Sequence, residues 1–291
     1  MSKQKDLDEI SSETTVTSER QVDDKFRKNT SEAHSYFEEA LQVKHRVREF
    51  LLAIQFFTRL PVHVDDKTGS KPLSSSAWSF SLVGCFIGLI GGVVANFASG
   101  LPFFAAGLLA VGAMCALSGG LHEDGLADSA DGLWGGTNPE QRLAIMHDSR
   151  VGVFGLIAVV TVICLKATAI SHLLKNDGGI DAALVIITAA AISRGFLPMA
   201  MNVFPLASEK GRAAEAGVPE NKGIIVGAII SIIIGLLLVG FSTSINGLIG
   251  GIIVAGGLGY IALKRLGGYN GDILGAQQQI LETAILLAAT I

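Results

Sequence analysis

GIIVGAIISIIIGLLLVGFSTSINGLIGGIIVAGGLGYIAL, residues 223–263, runs for 41 positions without one charged side chain. A helix needs about 20 apolar residues to cross the hydrocarbon core of a bilayer. The stretch therefore predicts two crossings, broken near the polar run from Phe241 to Asn246. In lipid every backbone N–H and C=O must be satisfied within its own segment, which leaves helices as the economical solution. Further uncharged or nearly uncharged runs lie on either side. Ser79–Phe97 and Leu101–Leu121 carry no charge; Val151–Leu174 is interrupted by Lys166 and His172, Ala182–Phe204 by Arg194, and Gly275–Ile291 by Glu282. The expected fold class is all-α: a polytopic integral membrane protein of about seven transmembrane helices. The composition agrees, with 49% hydrophobic and 16% charged residues among 291. Gly84, Gly88 and Gly92 form a small-residue stripe suited to close helix packing, and such stripes allow a homo-oligomer.

Three regions are expected. Residues 1–40 are a polar tail, rich in Ser, Thr, Glu, Asp and Lys, with no apolar run after Met1 that would make a signal peptide. Residues 41–72 form an amphipathic interfacial segment. Residues 73–291 form the transmembrane catalytic domain. Lys44, Arg46, Arg48, Arg59, Lys67 and Lys71 precede the first span, and Arg142, Arg150, Lys210, Arg212, Lys222, Lys264 and Arg265 lie in alternate loops. The opposite loops hold only Lys175. Positive charge stays inside, so these loops are expected in the cytoplasm, around a multi-pass protein of the cell membrane (the inner membrane in a Gram-negative cell). No basic tract interleaved with aromatics suggests a nucleic-acid partner.

On that same side lies Glu123-Asp124-Gly125-Leu126-Ala127-Asp128-Ser129-Ala130-Asp131. Asp124, Asp128 and Asp131 fall at i, i+4 and i+7 and share one helical face. Like charges at that spacing repel, and a divalent cation with a taste for hard oxygen ligands, such as Mg²⁺, turns the repulsion into coordination. Glu123, Asp124, Asp128 and Asp131 are the candidate ligands, joined by Asp148 of Met146-His147-Asp148-Ser149-Arg150 and Asp272 of the Gly267–Gly275 turn. Gly271 in that turn lets backbone approach phosphate closely. Two metals across a diphosphate would stabilise both attacking and leaving oxygens. Arg194 is costly inside a span and is functional by default; it faces either the acids or a substrate phosphate, or it pairs with Glu282. Arg59 and Arg150 are further phosphate candidates, and Lys166 can snorkel to the interface. His122 and His147 adjoin the carboxylates with substrate-orienting or acid–base roles, and Ser149 lies beside them.

Residues 119–132, GGLHEDGLADSADG, closely resemble the signature of the cobalamin synthase family of adenosylcobinamide-GDP ribazoletransferases. Further matches follow the family's order: Phe57-Thr58-Arg59-Leu60-Pro61, Ile145–Gly152, Ser193-Arg194-Gly195 and Gly271–Ala276, so that the resemblance covers about residues 48–291. It implies a Mg²⁺-dependent membrane enzyme that joins adenosylcobinamide-GDP to α-ribazole, or α-ribazole 5′-phosphate, and releases GMP. A ribose hydroxyl would attack the phosphorus on the cobinamide arm, with Asp131 taking the proton, Arg194, Arg150 and His122 assisting, and Arg59, His147, Ser149 and Gly271 holding substrate. Two features depart from the family: a longer N-terminal tail, and Gln279 where an acid is common, which leaves Glu282 as the acid of the last helix. Two other readings compete. A CDP-alcohol phosphatidyltransferase has Arg after the Ala of its motif, where this chain has Asp128. A divalent cation transporter would carry its acids near the bilayer midplane.

Overall fold

The structure, a computed structural model, describes residues 42–64 and 72–291 and divides the chain into two units, residues 1–48 and 49–291. In the first unit, residues 42–48 are helical. The tail expected over 1–40 lies outside the described residues, as do Lys67 and Lys71. The second unit comprises α1 (residues 49–57), a 3-10 turn (Leu73–Ser79), α2 (Phe80–Phe97), α3 (Phe103–Ser118), α4 (Leu121–Gly135), α5 (Pro139–Met146), α6 (Val153–Asn176), α7 (Gly179–Gly195), α8 (Leu197–Val203), α9 (Arg212–Ala216), α10 (Asn221–Leu266) and α11 (Gly271–Ala288). No strand forms among the described residues; an isolated bridge joins Leu206 to Tyr269.

Four stretches are long and apolar enough to cross a membrane: Leu73–Gly100, Val153–Asn176, Gly179–Val203 and Asn221–Leu266. The pair α3 and α4 qualifies together but is bent by 94°. The bend sits at Gly119 and Gly120, both at positive φ (66° and 70°), a backbone that glycine adopts without the penalty of a Cβ. The span expected over Leu101–Leu121 is thus α3 plus a turn. The acidic motif is itself a helix, α4, which leaves the direction of α3.

The uncharged stretch behaves as its length demands. A straight helix of 46 residues would measure about 70 Å, more than twice the hydrocarbon core. Gly240 breaks α10 at φ 78°, ψ −179°. A Cβ on Gly235 would come within 2.8 Å of the Ser244 hydroxyl, although nine residues of straight helix would separate them by about 13 Å, so the chain doubles back here. The break falls one residue before the polar run expected to hold it, because the polar residues fit helical φ and the positive φ belongs to glycine.

The glycine stripe of α2 packs inside the chain, against α7. A Cβ on Gly84 would collide with the Ala190 carbonyl, one on Gly88 would lie 2.7 Å from Ile187 Cα, and one on Gly92 would lie 2.8 Å from Ala183 Cβ. The stripe therefore lets two backbones approach and is not left over for a second copy. Around this contact Phe80, Val83, Ile87, Ile170, Ile186 and Ile285 are buried, while Leu156, Ile157, Ile233, Leu237, Phe241 and Ile253 are exposed. So wide an apolar exterior suits lipid better than water.

Gly84→Ala should therefore lower the thermal stability of the detergent-solubilised protein by about 1–3 kcal/mol through overpacking. Gly112→Ala, where nothing lies within 4 Å of the added methyl, should be neutral or stabilising by up to about 1 kcal/mol through helix propensity. Thermal unfolding of the two variants side by side checks the α2–α7 contact.

Candidate active site

The acidic motif meets the last helix through two glycines. A Cβ on Gly125 would lie 2.9 Å from the Asp272 carbonyl oxygen and 3.3 Å from Gly275 Cα, and one on Gly275 would lie 3.3 Å from His122 Cα. With no side chains between them, α4 and the first turn of α11 touch backbone to backbone. Asn270 caps α11: its Oδ1 accepts from the Ile273 N–H (3.0 Å), and its Nδ2 donates to Asp272 Oδ2 (2.9 Å), which holds that carboxylate. The crossing gathers Asp124, Asp128 and Asp272. Burial, then the charges of Asp124, Asp272 and Asp131, push the Asp128 carboxyl up to about 7. A carboxyl pushed so far up by burial and by its acidic neighbours is the electrostatic sign of a place for a cation.

A cationic loop is pinned beside them. The Tyr269 N–H donates to the Pro205 carbonyl and the Ala207 N–H to the Tyr269 carbonyl, each at 2.8 Å. Gly268 lies so close to Pro205 that a Cβ would collide with its carbonyl oxygen. The loop then delivers Lys210 and Arg212 to the acids. Three neighbouring hollows result, and Arg212 lines all of them. A cleft of about 350 Å³ carries Asp128, His147, Lys210, Asn270, Gly271 and Asp272. A mostly apolar cavity of about 110 Å³ carries Phe57, Phe80, His122, Met201, Asp124 and Asp272. A second, more polar cleft of about 390 Å³ carries Gln55, Thr58, Arg59, Ser118 and Glu215.

Asp124, Asp128, Asp272, His147, Gly271, His122 and Arg59 are therefore brought together. The other expected residues are placed differently. Asp131 turns to the start of α6, where its carboxylate accepts from the N–H groups of Gly152 (2.7 Å) and Gly155 (2.9 Å). A methyl on either glycine would strike that carboxylate. Two charge-assisted bonds at a helix N-terminus make Asp131 an anchor and leave it poorly disposed to accept a substrate proton. Asp148 and Arg150 form an exposed pair of their own (2.6 Å); the Arg150 hydrogen bonds hold the Asp148 carboxyl down at about 2. Neither they nor Ser149, also exposed, line the three hollows.

Beneath the crossing lies a buried ion network. Glu282 receives Lys166 Nζ at 2.6 Å and Arg194 Nη1 at 2.9 Å, with all three side chains at most 3% exposed. Of the three partners open to Arg194, the structure selects Glu282, and Lys166 points inward where snorkelling was the alternative. Gln278 Nε2 donates to Glu282 (2.6 Å) and to Ser193 (2.9 Å). Gln279 accepts from Lys166 (2.6 Å) and donates to Glu123 Oε1 (3.0 Å), so Glu123 belongs to this network and lines none of the three hollows. Sequence reasoning passed over Arg212 and Lys210, which looked like two more inside charges, and took Gln279 only as a departure from the family, although its polarity within an apolar helix signalled a buried partner. Among the described residues no three His, Cys, Asp or Glu side chains converge into a ready-made metal cage.

Comparison with known proteins adds to this geometry. Residues 49–290 match the family model described as cobalamin-5-phosphate synthase. Among similar proteins, the adenosylcobinamide-GDP ribazoletransferase of Brucella ovis is 35% identical over 253 residues, covering 83% of this chain and 95% of that protein. The adenosylcobinamide-GDP ribazoletransferase of Bradyrhizobium diazoefficiens is 33% identical over 253 residues, covering 85% and 95%. No solved structure matches the chain.

The anchors can be tested apart from any chemistry. Glu282→Gln leaves Lys166 and Arg194 without a counter-charge and should destabilise the protein by about 3–5 kcal/mol. Asp131→Ala should cost about 2 kcal/mol through its two lost bonds. Thermal unfolding in detergent reads both losses, and a melting curve like that of the parent protein in either variant would contradict the assigned role.

Proposed function

The chain belongs to the cobalamin-5-phosphate synthase family, and on that premise we propose that it transfers the phosphocobinamide moiety of adenosylcobinamide-GDP to a ribose hydroxyl of α-ribazole or α-ribazole 5′-phosphate. The reaction releases GMP and assembles the nucleotide loop of cobalamin. The single observation that carries the reading is the meeting of Asp124, Asp128 and Asp272 between an apolar cavity and two clefts lined by arginine. Phosphoryl transfer between a nucleotide-activated donor and a nucleoside acceptor needs such a juxtaposition. The relatives' names favour this reading over a CDP-alcohol phosphatidyltransferase or a cation transporter.

In the transfer the acceptor hydroxyl oxygen forms a bond to the phosphorus carrying the cobinamide arm. The bond from that phosphorus to the oxygen of the GMP phosphate breaks, and GMP leaves with the electron pair. Arg212 and Lys210 would hold the non-bridging oxygens, the guanidinium as a two-pronged donor, and so stabilise the charge that grows on the leaving phosphate. His147, beside Asp272 in the same cleft, would take the hydroxyl proton as a general base, a role that Asp131 is too firmly anchored to fill. Asp124, Asp128 and Asp272 fit Mg²⁺: they are hard oxygen donors under mutual repulsion, in clefts with room for diphosphate oxygens and water. Mg²⁺ retains such ligands in preference to an all-protein cage. When bound, the ion would neutralise the diphosphate and ease charge transfer to the leaving group.

The same reading sets the membrane arrangement. Seven crossings would be α2, α3, α6, α7 with α8, the two arms of α10, and α11. The basic residues Arg59, Arg142, Arg150, Lys210, Arg212, Lys222, Lys264 and Arg265 fall in segments on the side of the acids, which supports a cytoplasmic active site in the cell membrane. The α2 stripe packs within the chain, so no homo-oligomer is proposed from it.

Purified protein given adenosylcobinamide-GDP, α-ribazole 5′-phosphate and Mg²⁺ should release GMP and form a corrinoid of cobalamin 5′-phosphate mass. Turnover with CDP-activated donors alone would overturn the assignment. Asp124→Asn and Asp128→Asn should each lower turnover by about 10² or more in a protein that remains folded. Protons compete with the metal at Asp128, whose carboxyl titrates at about 7. It binds cations as the anion above that pH and loses them below it. The half-saturating Mg²⁺ concentration for GMP release should therefore rise roughly tenfold from pH 8 to pH 6, and a flat profile would remove Asp128 from the metal site.

A further inference from the structure

The apolar cavity contains a buried polar group with nothing to bond. His122 is 2% exposed, and neither imidazole nitrogen has a hydrogen-bond partner among the described residues. Its ring stacks on Phe57 (centroids 5.6 Å, 13° between planes), and Phe57 meets Phe80 edge-on at 4.8 Å and Phe56 at 5.0 Å. Leu197 and Met201 add apolar wall, and Asp124 and Asp272 line the same cavity. Buried polar atoms in native proteins are paired. An orphan imidazole in an aromatic pocket beside the reacting carboxylates therefore marks a place where a ligand supplies the missing bond. The cleft that carries Arg59 shares Phe56, Leu73, Leu121, Arg212 and Ala216 with this cavity, so the two are continuous.

We infer that the cavity holds the aromatic base of the acceptor nucleoside, with His122 as its hydrogen-bonding partner, and that the cleft carrying Arg59 holds the acceptor's 5′-phosphate. The inference rests on the ribazoletransferase reading and deepens it. The benzimidazole of α-ribazole is a flat, apolar bicycle with one free ring nitrogen, which one imidazole N–H satisfies. Guanine brings a carbonyl, a ring N–H and an exocyclic amine, all of which need partners; with Asp124 and Asp272 given to the metal, the aromatic wall would leave most of them unpaired, and desolvating them is unfavourable. A corrin macrocycle is far too large for about 110 Å³. With the base among the phenylalanines and the phosphate on Arg59, the ribose lies between them, beside Asp124 and Asp272. The donor's diphosphate is left the cleft of Asp128, His147 and Lys210.

The test is equilibrium dialysis of labelled α-ribazole and α-ribazole 5′-phosphate against the purified full-length protein without donor, together with separate KM values for donor and acceptor. His122→Phe removes the bonding group and Ala216→Phe fills the cavity from α9, so the result does not rest on one variant folding. Both should weaken α-ribazole binding by about tenfold and raise its KM alike, with the donor KM within about twofold. Arg59→Ala should weaken the 5′-phosphate form by about tenfold and leave the nucleoside within about twofold. Unchanged α-ribazole affinity in both cavity variants would overturn the assignment, as would a rise in the donor KM in place of the acceptor's. Cavity-dependent α-ribazole binding by a protein that releases no GMP would support the subsite and sink the reaction alone.

Discussion

The close approach of α4 to α11 at Gly125 and Gly275 is the constraint on which the rest of the molecule depends. Two helices crossing through ordinary side chains keep their axes about 8–10 Å apart. Here the Cα positions nearly touch, and whatever flanks the glycines is forced together. On one side of the crossing are Asp124, Asp128 and Asp272. On the other, Glu123 reaches Gln279 and through it Lys166 and Glu282. One contact thus assembles an acidic, solvent-reachable cluster and a sealed ion network back to back.

The two sides obey opposite electrostatics. In the network, two cations and Glu282 sit within hydrogen-bonding distance, with Ser193 and Gln278 satisfying further lone pairs. Such a set is tolerable in a low-dielectric interior because its charges are paired and bonded, and it ties α6, α7 and α11 together. In the cluster, charges of one sign crowd at a boundary and push the Asp128 carboxyl up to about 7. That is an unstable arrangement without a partner, and the partner on hand is the loop carrying Lys210 and Arg212. The Leu206–Tyr269 bridge fixes that loop to the turn that leads into Asp272. Substrate charge and metal charge would complete the balance, which is why positioning and electrostatics can carry most of the chemistry.

Glycine acts here in two separate ways. At Gly119, Gly120 and Gly240 it permits a positive φ that turns the chain. At Gly84, Gly88, Gly125 and Gly275 it removes bulk so that backbones meet. The first use sends α4 out of the direction of α3 and doubles α10 back on itself; the second sets how the helices register against each other. Asp131 shows how a motif residue can be structural: its neighbours Gly152 and Gly155 are small so that its carboxylate can reach their N–H groups.

The sequence by itself determined the class of fold, the long apolar helices, the helical face shared by Asp124 and Asp128, and the family. These depend on apolar run length, helical periodicity and a contiguous motif, all of them local along the chain. Tertiary structure alone decided which acids meet, that Arg194 and Lys166 converge on Glu282, that Asp131 caps α6, and that Arg212 stands at the centre of three hollows. Each of those facts is a contact between residues far apart in the chain: 116 positions for Lys166 and Glu282, 88 for Arg194 and Glu282, 24 for Asp131 and Gly155. A pattern of charge and hydropathy says which way a side chain wants to face, whereas the partner it finds there is set by how whole helices pack.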